Sequence, residues 1–295
     1  MPDDDDAVYR VLSDVPTTDP VLIVALDGWV DAGLGASAAM AAIMEHTDVE
    51  PVAIFDGDLF IDQRARRPIV HIVHGINRGV TWPEITVVAG RDRNGRDVLL
   101  LTGPEPDFHW RTFINGVVEF CLAHDVHTVV GLGAFPAPTP HTRPVKIAAT
   151  APEESSILIE RIGIVAGELD VPAGVTSAME LGMGEADIPM VTLWARVPHY
   201  VAAMAFPEAS VSLLEGIFQV TGIRFDAGDL RHAADASRRQ VDDLIQSNAD
   251  HVAMVQALEA AVDETEGNPF GLEDLPSGDE LAAELEKFLR GEAGN

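Results

Sequence analysis

Thr128-Val-Val-Gly131-Leu-Gly133-Ala-Phe-Pro136-Ala-Pro138-Thr-Pro140-His141-Thr142-Arg143-Pro144 is the stretch whose reading decides the fold. It begins as an apolar, β-branched run, the signature of a buried strand. It then breaks at four prolines within nine residues. Proline fixes φ and lacks a backbone donor, so the sequence predicts that the sheet stops there and a stiff loop follows. The loop ends on His141, Thr142 and Arg143, three hydrogen-bonding side chains held between Pro140 and Pro144. Open α/β sheets place ligands at the carboxyl ends of their strands, so this tip is either a site or a brace.

The pattern extends in both directions. Residues 21–26 (VLIVAL) are continuously apolar, as in a central parallel strand. A loop over 27–33, an Ala- and Met-rich helix over 34–46 and a strand over 51–55 complete a βαβ unit. Residues 59–83 are less regular, with a possible short strand over 69–73 and the densest basic cluster of the chain, Arg64, Arg66 and Arg67. The runs 84–89 and 97–102 flank Asn94-Gly95, a strong hairpin signal, so the sheet is expected to be mixed. Trp110, Phe113, Val117 and Phe120 recur at helical spacing.

Beyond the opening stretch, strands are predicted over 145–150 and 188–194, and helices over 153–161, 174–184 and 207–220. Residues 195–200 read as a second stiff polar loop containing Arg196 and His199. From Asp229 the apolar residues follow one helix, or two that turn near 247–250. Residues 263–278 read as a linker, and Asp279 could cap a last amphipathic helix with Leu281, Leu285, Phe288 and Leu289. The expected division is an α/β domain over 1–226, a helical extension over 227–263, and a linker with a docking helix over 264–295.

Composition narrows the function. With 48 acidic and 19 basic residues the net charge is −29, which argues against nucleic acid or an anionic membrane as a partner. One cysteine, Cys121, permits no internal disulfide and no cysteine-based zinc site. The acidic N-terminus lacks the apolar region of a signal peptide, and no apolar run approaches the ~20 residues that span a bilayer, so a cytoplasmic protein is expected.

Gly33-Leu-Gly35-Ala-Ser-Ala38 matches G-x-G-x-x-A, and Asp56 follows 23 residues after Gly33, as in a dinucleotide fingerprint. Six residues, Asp27 to Ala32, separate it from the strand, however, where the tight turn should follow directly. The bland alternative is a helix start packed closely on the sheet. No Gly-Lys-Ser/Thr, G-x-S-x-G or H-E-x-x-H occurs. His71 and His74 lie three apart on a possible strand and would face opposite sides. The candidate cleft gathers Asp27, Asp31, Glu105, His141, Thr142, Arg143, Arg196 and His199, with Glu180 nearby. A carboxylate there would serve as general base and an arginine as anion clamp. No metal ligand set, catalytic residue or cofactor is assigned.

Several ordered blocks carry a resemblance: residues 21–33 (VLIVALDGWVDAG), Gly103-Pro-Glu-Pro-Asp107 with Trp110, Gly133-Ala, Pro140-His-Thr-Arg-Pro144, Gly174-Val-Thr-Ser-Ala178 and Val197-Pro-His-Tyr200. Together with Leu275-Pro-Ser-Gly278 and Phe288-Leu-Arg290, they make the chain resemble the proteasome assembly chaperone family of the second-subunit type, in its bacterial branch, over about residues 8–290. The resemblance implies a phosphorylase/hydrolase-like α/β fold, a three-layer mixed β-sheet flanked by helices. It also implies self-association, as a homotrimer, and proteasome α-subunits as partners. For the eukaryotic and archaeal relatives it implies docking through a C-terminal hydrophobic-tyrosine-any tripeptide, whereas this chain ends Glu292-Ala-Gly-Asn295, so docking by that route is not expected. The leading expectation is a non-enzymatic protein acting through protein contacts. The alternative is an enzyme that binds a nucleotide, nucleoside or carboxylate, of the phosphorylase/hydrolase or ATP-grasp type; with only Lys146 and Lys287 as lysines, the latter is poorly equipped for phosphates.

Overall fold

The computed structural model describes residues 7–15, 18–160, 162–164 and 168–267. The helix expected from Asp279 lies outside the described residues. The first half contains β1 (Tyr9–Val11), β2 (Val21–Asp27), α1 (Gly35–Glu45), β3 (Glu50–Phe55), α2 (Gly57–Phe60), β4 (Ile69–Val73), β5 (Ile76–Thr81), β6 (Thr86–Arg91), β7 (Asp97–Pro104) and α3 (Trp110–Ala123). The second half contains β8 (Thr128–Ala137), β9 (Ile147–Thr150), α4 (Ser156–Ile159), α5 (Val175–Glu185), β10 (Met190–Pro198), α6 (Pro207–Thr221), α7 (Gly228–Gln246) and α8 (Ala249–Gly267).

Eight strands form one mixed sheet in the order β1-β3-β6-β7-β2-β8-β10-β9. β7, β2, β8 and β10 are parallel and central. Their continuous apolar runs fit burial on both faces: Leu22, Ile23, Val24 and Leu99 to Leu101 are fully inaccessible. β2 and β3 run the same way, as a βαβ unit requires, yet they are not neighbours. The Asn94-Gly95 hairpin inserts β6 and β7 between them.

Helices cover both faces. α1 and α6 seal one core, with Ala39, Ile43, Leu213 and Ile217 against Ile23, Val130 and Leu193. α3 and α5 seal the other, with Phe113, Phe120, Met179 and Met183 against Leu22, Leu99 and Val129. Cys121 is buried in this second core. α7 packs on α6, and a break at Ser247–Asn248 separates it from α8. Among their described side chains only Val241 and Val255 are buried apolar groups.

Four expectations change. β8 does not stop at the prolines but continues through Phe135-Pro136-Ala137, paired with Arg196-Val197-Pro198. Its β2 ladder ends at Gly131, so the missing proline donor leaves no gap in a two-sided ladder. β10 likewise runs to Pro198, which puts Arg196 on a strand rather than in a loop. α8 extends to Gly267, past the expected start of the linker. Finally, the irregular segment 59–83 contains a complete hairpin, β4–β5, forming a separate two-stranded sheet. Its two-residue turn is His74-Gly75, with φ of +51° and +78°, the backbone that mirror-image hairpin turns require. His74 therefore occupies the turn, while the ring of His71 meets the Thr81 hydroxyl at 2.7 Å.

Candidate functional site

The carboxyl ends of β2, β7, β8 and β10 gather the candidate residues at one edge of the sheet, where the structure divides them into separate groups. The first follows β2 and β7. Asp31 accepts from the backbone N–H of Ala36 at 2.7 Å and of Ser37 at 3.0 Å, and from the Ser37 hydroxyl at 2.6 Å. It thus occupies the N-terminus of α1, where a pyrophosphate would have to bind. Gly35 packs against the sheet and α6, since a Cβ there would meet those of Ala134 at 3.0 Å and Ala209 at 3.1 Å. The G-x-G-x-x-A stretch is therefore a tightly packed helix start. Asp56, the supposed ribose ligand, caps α2 through Asp58 and Leu59.

Glu105 fastens the neighbouring loops. Its carboxylate accepts from the N–H of Val175, at the start of α5, at 2.7 Å and from that of Trp29 at 3.5 Å. Gly174 permits this closeness: a Cβ there would stand 2.3 Å from the Trp29 carbonyl oxygen. The Trp29 indole donates to the Pro172 carbonyl at 3.2 Å. Arg66 joins from the base of the hairpin, donating to Asp107 and to the Glu105 carbonyl, both at 3.2 Å. Asp27 stands beside this network. Burial and the Asp31 charge push its carboxyl up, and Arg66 opposes them.

The second group is the tip of the opening stretch. His141 is buried; one ring nitrogen lies 2.7 Å from the Tyr200 hydroxyl and the other 3.0 Å from Asp242 of α7. The Tyr200 hydroxyl also accepts the His141 backbone N–H at 2.8 Å, and burial pushes its pKa up to about 12. Thr142 donates to Glu259 of α8. Arg143 forks onto Asp263 at 3.0 and 2.8 Å and reaches Glu259 at 3.3 Å. All three side chains therefore hold the helical extension against the sheet edge. His199 follows β10 and stands edge-on to Tyr200, with ring centroids 5.3 Å apart.

The third group lies on the α5 face. Glu180 is buried; desolvation pushes its pKa up, while the Thr150 hydroxyl, donating at 2.6 Å, pulls it down. Thr150 also accepts from the Trp194 indole at 2.9 Å. Arg196 continues this row, and burial alone lowers its pKa.

Sequence reasoning missed the most exposed apolar feature, the β4–β5 hairpin. Every residue of both strands is exposed, including Ile69, Val70, Ile72, Val73, Ile76 and Val80. The signal was available: two β-branched runs separated by a residue pair ending in glycine. Among the described residues no three His, Cys, Asp or Glu side chains are grouped to hold a metal ion.

A search of curated proteins finds no match. Solved structures do match. A proteasome-assembly chaperone homologue of Mycobacterium tuberculosis shares 32% identity and a TM-score of 0.73, over 80% of this chain and 99% of that one. A second M. tuberculosis protein, of unknown function, gives 30% and 0.80 over 89% and 93%. A PAC2 family protein of Streptomyces avermitilis gives 30% and 0.71 over 80% and 100%. The family model described as the PAC2 family matches residues 25–245. The chain belongs to the PAC2 family.

Proposed function

We propose that this protein self-associates and works through protein–protein contacts, in the manner of a proteasome assembly chaperone. The observation that carries the reading is the β4–β5 hairpin. A two-stranded sheet alone in water is marginally stable at best, and contiguous exposed apolar surface marks an interaction site. Ile69 and Ile72 are 64% and 66% exposed. Residues 63–83 contain four arginines and no Asp or Glu, within a chain of net charge −29. An apolar, cationic arm on an acidic body is complementary to a second copy of the same body. The homotrimer implied by the family resemblance is the assembly proposed.

The resident partners proposed are proteasome α-subunits, on the strength of the family and of the chaperone homologue among its relatives. The test is co-purification of the chain with purified α-subunits and with assembled 20S particles at low salt. Retention of α-subunits supports the chaperone reading. Retention of neither removes it, while self-association remains separately measurable.

A further inference from the structure

We propose that Phe135, Trp194 and Arg196 form a binding site for an aromatic carboxylate on the α5 face of the sheet. The proposal does not depend on self-association.

Alternation along the strands defines the face. Val191, Leu193, Ala195 and Val197 of β10 enter the α1/α6 core, so Thr192, Trp194 and Arg196 point the other way. On β8, Val130, Leu132 and Ala134 enter that same core, leaving Gly131, Gly133 and Phe135 on the opposite face. The register sets Trp194 beside Gly133 and Arg196 beside Phe135. A Cβ on Gly133 would stand 2.2 Å from the Trp194 ring, so the indole lies directly against the bare backbone. Its N–H is committed to Thr150, which fixes the ring's orientation.

Two observations point to a ligand. Phe135 and Trp194 are half-buried and belong to neither apolar core, so this end of the sheet face presents partly accessible aromatic surface outside both cores. Arg196 makes no side-chain hydrogen bond or ion pair among the described residues, and its Nε is buried without an acceptor. Arg196 is half-buried, carboxylates outnumber cationic side chains 48 to 19 in this chain, and a guanidinium nitrogen held away from water without an acceptor is costly. A guanidinium fork matches a carboxylate in plane, and flat aromatic side chains accept a planar ring. A ligand carrying both groups satisfies both deficits.

The test uses benzoate as probe, with benzamide and acetate as its neutral and ringless counterparts, read by thermal shift and by the indole N–H resonance of Trp194, assigned with Trp194→Phe. One ion pair and one stacked ring are expected to give a Kd on the order of 1 mM. Benzoate should raise the melting temperature and move the Trp194 resonance saturably, with benzamide and acetate at least about tenfold weaker. Arg196→Met should abolish the response while leaving the melting temperature without ligand unchanged or higher, because no bond is lost. Arg196→Lys, which keeps the charge but not the fork, should bind about tenfold more weakly than the native protein and serves if the methionine variant fails to fold. A Trp194 resonance that stays in place, equal binding of benzamide, or undiminished benzoate binding by the Arg196 variants would overturn the proposal.

Discussion

Asp31 shows how one side chain decides between two readings of the same glycines. Its carboxylate takes two backbone donors at the start of α1 and the Ser37 hydroxyl, so no donor is left for a phosphate there. Asp31→Ala should lower unfolding free energy by about 1–2 kcal/mol in urea titration, as loss of a helix cap does. Asp92 makes a second prediction. Burial raises its carboxyl pKa, but hydrogen bonds from the backbone and side chain of Arg96 and from the backbones of Arg224 and Asn94 outweigh it, leaving the pKa below the usual value. A carboxyl depressed in the folded state contributes stability above its unfolded pKa of about 3.9, lost as pH falls through the lower folded value. Asp92→Asn should therefore flatten the acid limb of the stability profile below about pH 4, as followed by denaturant titration at a series of pH values. Neither role was legible in the sequence, because each depends on which backbone N–H groups a loop brings to a carboxylate. The capping aspartate lies four residues before its helix rather than next to it.

At the scale of elements, strand type and order were legible where apolar runs were long: β2, β8, β7 and the helices carrying Phe113 and Leu213 lie where periodicity puts them. Boundaries failed at prolines. Pro136 and the 195–200 segment read as the ends of strands, yet β8 and β10 stay paired through Ala137 and Pro198, beyond the point where the β2 ladder has ended. The sequence also hid what His141, Thr142 and Arg143 touch, since their partners Asp242, Glu259 and Asp263 lie more than 100 residues further on. The opening stretch is therefore a brace: a rigid strand end that clasps α7 and α8. With so little apolar burial in those helices, the clasp is mainly polar, and salt should weaken it. Arg143→Ala should accelerate amide hydrogen exchange across α7 and α8 while leaving β2, β7 and β8 protected. Equal protection of α7 and α8 in the variant would mean that the arginine does not hold them.

For the whole molecule, the family resemblance and the layered fold were legible from ordered sequence blocks, whereas the surface that most needs a partner was not. The hairpin departs from the expectation that apolar runs enter a core. Periodicity reports which residues prefer burial but not whether a core of the same chain receives them. Burying a single isoleucine side chain is worth about 1.5–3 kcal/mol, so a few such residues suffice to drive association. The hairpin contributes to neither core, so its charge can be changed without dismantling the sheet.

The most direct test is light-scattering mass after gel filtration, for the native chain and for an Ile69→Glu/Ile72→Glu double variant with matched melting temperature. The account predicts a native mass of a multiple of the 31.6 kDa protomer, a trimer by family resemblance, and a monomer for the variant. A native monomer, or a variant that retains the native assembly, would contradict it.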